Sequence, residues 1–184
     1  MTTTRHVLLE GTRKITKARG GQLHQFAAEL AKNNEFSIYR SGGALGSDEA
    51  FSLGIATTPH SQLELVLPST SYRKTKIIFP CAKFGLDQVS EGELRALVEA
   101  ASEATPKYKS GFHSFPNLPP RPKASIALLL RDALKVIGAP SIGLAPASYA
   151  YFNLNPETPH SGGTGHTIKI CEARRVHYEI VPPA

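Results

Sequence analysis

An α/β domain with a mostly parallel central sheet is the fold class this sequence predicts, and three observations carry it. Strand-like runs alternate with helix-patterned ones: His6–Glu10, Gln22–Asn33, Phe36–Tyr39, Asp48–Gly54, Leu63–Leu67. That order gives parallel strands joined by right-handed crossovers. Two glycine-rich turns, Ser41-Gly42-Gly43-Ala44-Leu45-Gly46-Ser47 and Ser161-Gly162-Gly163-Thr164-Gly165-His166-Thr167, each follow a polar or strand-like run and lead into a helix. Finally, 184 residues with 41% hydrophobic and 20% charged side chains suit a single domain, 1–184, with a real core.

Each element has its own signal. His6–Glu10 is apolar and ends in the small-residue turn Gly11-Thr12-Arg13, followed by basic Lys14, Lys17 and Arg19. Gln22–Asn33 places Leu23, Phe26, Ala27 and Leu30 at the spacing of an amphipathic helix. Asp48 and Glu49 open the next helix, where acids suit the helix dipole and where they could also reach a sugar or base. Between Ser69 and Leu118 only Glu91–Ala101 reads clearly, as a helix with Leu94, Leu97 and Val98 on one face. The run Lys107-Tyr108-Lys109-Ser110-Gly111-Phe112-His113 alternates cations with aromatics, a pattern that either stacks bases or tucks a loop into the domain.

Asn117–Pro122 is dense in proline and reads as a connector. Ala124–Ile137 follows as a buried helix with Ser125 as a cap and Gly138 as a stop. Arg131 and Asp132 inside so apolar a helix need partners: either they neutralise each other, or Arg131 reaches a cleft and holds an anion. The next strand lies within 139–152, the last helix spans Thr167–Arg175, and Val176–Val181 is the closing strand.

Composition excludes several classes. No apolar run approaches the roughly 20 residues that span a bilayer, and the start lacks a secretory core, so no membrane association and a cytoplasmic location are expected. Cys81 and Cys171 belong to no C-x-x-C pair and read as small apolar residues. His160 and His166 flank the second glycine turn at a spacing that fits no common metal motif, so neither a metal nor a cofactor is expected. The formal net charge of +6 favours anionic ligands, from a nucleotide to nucleic acid.

The glycine turns point to what holds such an anion. Backbone N–H groups and a helix dipole can cradle a phosphate. The residues predicted to do so are Gly11, Thr12, Arg13, Arg40, Ser41, Gly42, Gly43, Ser47, Asp48 and Arg131, with Ser161, Gly162, Gly163, Thr164, Gly165, His166 and Thr167. The prediction requires amides from both turns to meet one ligand.

The motifs G-T-R after the first strand, R-S-G-G-A-x-G-S-D-x-A-F after the second, L-L-R-D-A-L-K-V-I-G in the late helix and S-G-G-T-G-H-T-I at the last helix together resemble the SLOG superfamily. That superfamily joins the Smf or DprA DNA-processing proteins to the Lonely Guy nucleotide hydrolases, and its single-domain phage and bacterial members are the most similar. The resemblance implies a Rossmann-like three-layer sandwich that binds a nucleotide or nucleotide-derived molecule at its strand ends. The hydrolases carry P-G-G-x-G-T-x-x-E in the second turn. Here Ser161 stands for the proline, His166 for the threonine, and Lys169 falls where the glutamate is expected.

Three functions follow as expectations. The first is a binding protein that senses, carries or sequesters a nucleotide-type small molecule. The second is an N-glycoside hydrolase or transferase acting on nucleoside 5′-monophosphates, with Asp48 and Glu49 as its catalytic carboxylates. The third is single-stranded DNA binding in the DprA manner, through Lys14, Lys17, Arg19, Arg73, Lys74 and Lys76. A homodimer is expected by analogy with the fold.

Overall fold

In the computed structural model, which describes residues 4–34, 36–58, 62–73 and 75–182, alternation along the strands divides the interior into two layers. On β1 (Arg5–Gly11), Val7 and Leu9 face one way and Leu8 the other. β3 (Gln62–Leu67) separates Leu63, Leu65 and Leu67 from Val66, and β5 (Tyr149–Asn153) separates Tyr149 and Tyr151 from Ala150 and Phe152. The first set packs with α1 (Lys17–Asn33) and α2 (Ser47–Ala56). The second packs with α3 (Glu91–Ala104), α5 (Pro120–Ile137) and α6 (Gly162–Ala173). A sheet covered on both faces needs apolar residues at odd and even positions alike, which is why its strands read as nearly continuous apolar runs.

β2 (Ser37–Ser41), β4 (Ala82–Gly85) and β6 (His177–Ile180) complete a sheet of order β4-β3-β2-β1-β5-β6, every neighbouring pair of which is parallel. The chain steps outward from β1 to β4, then crosses back through α3, α4 (Lys109–His113) and α5 to β5. Strand order therefore reverses between β1 and β5, whose ends pair Gly11 with Asn153. In open α/β sheets the crevice beyond the strand ends at such a reversal is where ligands bind. The layered α/β class is as the sequence predicts.

Three helices begin earlier than the sequence suggests. α1 starts at Lys17 because the Thr16 hydroxyl accepts from the Arg19 amide 3.1 Å away, so Gly20 and Gly21 lie inside it. α5 starts at Pro120, with Pro119 as its N-cap, and Ser125 is interior rather than a cap. Proline is tolerated in a first turn, where its missing N–H would have no intrahelical partner. α6 starts at Gly162, so the second glycine turn is not a loop before the helix but its opening turn. Strand β4 was not predicted; only four residues long and at the sheet edge, it has a mostly exposed pattern with no strand signal.

Candidate functional site

The first glycine turn wraps around a carboxylate of the protein itself. Asp48, on the first turn of α2 and 2% exposed, accepts from the Gly11 amide at 3.3 Å and the Ala44 amide at 3.4 Å. The Gly11 amide, expected to hold a phosphate, thus holds Asp48 instead, and the Ala44 amide of the turn joins it. Glu49 pairs with Arg73 at 3.0 Å, and the same guanidinium donates to the Gly43 carbonyl at 2.7 Å. Both carboxylates predicted to do catalysis therefore have structural partners. Ser41 is fully buried, its hydroxyl 3.4 Å from the Asp48 carbonyl oxygen. Ser47 donates from its amide and hydroxyl to the Thr12 carbonyl, at 3.1 and 2.7 Å, and its hydroxyl accepts from Asn153 at 2.9 Å. Those bonds tie the ends of β1 and β5 to the start of α2.

α5 supplies the charges beneath both turns. Arg131 Nη1 donates to the Gly42 carbonyl at 2.6 Å, and Nη2 lies 3.0 Å from Asp132 Oδ1. Lys135 Nζ lies 2.5 Å from Glu10 Oε2 and 2.8 Å from the same Asp132 oxygen. Burial alone would neutralise these groups. It pulls Lys135 and Arg131 down, but neighbouring carboxylates, Asp132 foremost, outweigh it and leave both raised. Asp132 is lowered: burial pushes it up, but Arg131 and Lys135 pull it further down. Glu10 is the exception, pushed up to about 7 by burial that Lys135 only partly offsets.

Arg40 does not reach the cleft. It is fully buried, donates twice to Glu64 at 2.9 and 2.6 Å, and bonds the Lys135 carbonyl at 2.8 Å. The register of β2 and β3 places Arg40 directly beside Glu64, so the two neutralise each other under α5. Arg131 and Asp132 also neutralise each other, and Arg131 additionally holds the first turn.

The second turn is partly open. Ser161 gives no side-chain cap, and the amides of Gly162, Gly163 and Thr164 have no acceptor among the described residues. Gly162 is exposed, and Gly163 and Thr164 are half-buried. Beyond them the turn faces inward. The Gly165 amide bonds the Ser161 carbonyl at 3.2 Å, and the single Thr167 hydroxyl lies 3.0 Å from both a Glu10 carboxylate oxygen and the Gly163 carbonyl, its one proton shared between them. His166 is a core residue rather than a ligand group. Its Nδ1 lies 2.7 Å from the Thr105 hydroxyl, its Nε2 lies 3.1 Å from the Leu129 carbonyl, and burial lowers its pKa.

The two turns do meet, but on protein charges. A Cβ on Gly42 would overlap Arg131 Nη1, and one on Gly163 would lie 2.9 Å from Asp132 Oδ2, so the adjacent Arg131 and Asp132 side chains sit against one turn each. Close approach is what requires glycine at both positions. Glu10, Lys135 and Asn153, central to this network, were not singled out from the sequence. Lys135 carries a readable signal, since Arg131-Asp132-x-x-Lys135 puts three charges on one helix face of an apolar segment. Glu10, closing an apolar strand, gave none.

The predicted basic face divides in the same way. Arg19 is structural: it donates to Asn153 Oδ1 at 3.0 and 2.8 Å and to the carbonyls of Pro182 and Val181 at 2.8 and 2.9 Å. Arg73 clamps the first turn, and Lys74 lies outside the described residues. Arg13, Lys14 and Lys17 are exposed, and their side chains make no hydrogen bond or ion pair among the described residues. They follow Thr12, whose amide bonds the Asn153 carbonyl at 2.9 Å, and so stand at the same reversal point. Among the described residues no cluster of His, Cys, Asp and Glu could hold a metal, and no helix is long and apolar enough to cross a membrane.

No family model matches the sequence, and no curated protein does. Among solved structures the chain is similar to DNA processing protein A from Helicobacter pylori, described for its unique mode of binding single-stranded DNA. The two are 16% identical and superpose with a TM-score of 0.50 over 98% of this chain, which spans 66% of that one. A likeness at this identity establishes the fold. The chain therefore has a Rossmann-type fold like that of DNA processing protein A.

Proposed function

We propose that this chain binds single-stranded DNA across the carboxyl edge of its sheet. Phosphates are received by the open amides of Gly162, Gly163 and Thr164 and by Arg13, Lys14 and Lys17. We further assign it to the SLOG superfamily, on its three glycine motifs and the fold it shares with DNA processing protein A.

The observation that carries the reading is the contrast between a filled interior and an open rim. Inside, the acids Glu10, Asp48 and Asp132 outnumber the bases Arg131 and Lys135, and the amides of Gly11 and Ala44 are satisfied by Asp48. An anion gains nothing by entering. At the rim the donors and cations have no partners among the described residues, so a polyanion laid over the edge is favoured over a phosphate enclosed between the turns. The single-stranded DNA described for the structural neighbour and the net charge of +6 support the same reading.

The position at the strand-order reversal favours a second reading, a nucleotide-type small molecule with one phosphate on the start of α6. Cleavage of an N-glycosidic bond is the least supported of the three, because Asp48 and Glu49 are already engaged.

Anisotropy of a labelled oligothymidylate over a salt series tests the proposal. Affinity falls steeply with salt, with a log–log slope of about −0.7 per phosphate contacted. Replacing Arg13, Lys14 and Lys17 together by alanine reduces that slope by about 2. Binding that is absent at low salt, or insensitive to salt, would refute it. Full competition by thymidine monophosphate at micromolar concentration would favour the small-molecule reading.

A further inference from the structure

We propose that Tyr108 is a base-stacking platform on which one base of the bound strand lies, with Lys107 and Lys109 meeting the adjoining phosphates. This inference rests on the single-strand reading above and extends the contact surface beyond the sheet edge onto the segment before α4.

The structure sorts the aromatics of the run Lys107–His113 in opposite directions. Phe112 is fully buried, whereas Tyr108 is 43% exposed. Phe112 stacks on His166 with centroids 6.0 Å apart and planes 23° apart, and His166 is fixed by Thr105 and Leu129. The Tyr108 and Phe112 rings are perpendicular, with centroids 6.4 Å and planes 88° apart. A surface ring is thus braced through a buried one onto α6, three residues beyond Gly163. The perpendicular contact fixes the Tyr108 ring, and its exposure leaves ring surface open to solvent. Lys107 Nζ stands over the Tyr108 ring, 4.9 Å from its centroid, so a cation already covers one face and a base takes the other, and Lys109 is exposed next to it. Aromatic faces flanked by cations are the means by which single strands are held without sequence preference.

The chain has no tryptophan, so a Tyr108→Trp variant carries a single indole reporter. Oligothymidylate quenches its emission, and an abasic oligomer with the same phosphates does not. Tyr108→Ala weakens binding about tenfold without altering the salt slope, and Tyr108→Phe keeps it, since stacking uses the ring and not the hydroxyl. Lys107→Ala with Lys109→Ala lowers the slope by about 1. Thermal melts equal to wild type confirm that Tyr108→Ala is folded. Unchanged emission in a Tyr108→Trp variant that still binds oligothymidylate in an Arg13-dependent way overturns the stacking inference and leaves the single-strand reading standing. Absence of binding by the wild-type chain overturns both.

Discussion

Arg131 of α5 donates to the carbonyl oxygen of Gly42 at 2.6 Å, a bond between residues 89 positions apart in sequence. It makes the first glycine turn a seat for a protein cation. The same guanidinium pairs with Asp132, which faces Gly163 of the second turn. The conformations of the two turns are thereby linked through one side-chain pair.

Gly42→Ala disrupts this link. The added methyl overlaps Arg131 Nη1 and lies 2.7 Å from Asp48 Oδ2, and neither group has solvent to retreat into. A loss of about 1–3 kcal/mol follows, the usual cost of overpacking. Chemical denaturation measures it, and a stability equal to wild type would show that the buried cluster rearranges freely.

Asp48→Ala leaves the amides of Gly11 and Ala44 without an acceptor and removes a carboxylate that helps to hold Arg131 charged. A loss of about 2–4 kcal/mol follows, and Asp48→Asn costs less because it keeps an acceptor. If Asp48 served only in catalysis, both variants would melt with the wild type. The structural role also predicts no free base from nucleoside monophosphates incubated with the wild-type chain.

Glu10 makes stability depend on pH. Its folded pKa of about 7 lies above its ordinary value of 4.5, so between these values the folded state holds a proton that the unfolded state has released. The stabilisation from this group is complete below about pH 4.5, declines as pH rises towards 7 and is lost above it. Urea midpoints across that range should fall with pH for the wild type and flatten for Glu10→Gln. Lys135→Met, which strands Glu10 and Asp132 without their shared cation, costs about 3–5 kcal/mol near neutral pH.

Cys171 is fully buried, and burial pushes its thiol up to about 12, whereas Cys81 is half-buried. Only the thiolate is a good nucleophile. A disulfide reagent at pH 8 should therefore titrate Cys81 alone in the folded chain and both thiols in denaturant. Rapid titration of both under native conditions would contradict the packing around α6.

The sequence by itself determined what depends on neighbours along the chain. Alternating strands and helices specified the parallel sheet, the period of Leu23, Phe26, Ala27 and Leu30 specified α1, and the glycine runs marked where strands give way to helices. Helix starts were misread where the deciding cap, Thr16, or the proline-bearing first turn at Pro120, departs from simple periodicity. Side-chain pairing was decided only by tertiary structure. Arg40 looked like a ligand cation until the register of β2 and β3 set it beside Glu64. Asp48 looked like a catalyst until the end of β1 brought the Gly11 amide to it. Glu10, the last side chain of an apolar strand, became notable only when α5 lowered Lys135 onto it. A charge seen in sequence reveals its sign and its place in an element. Whether it is spent inside the protein or offered to a ligand depends on which distant group the fold sets within about 3 Å of it, and that is a property of the packed chain.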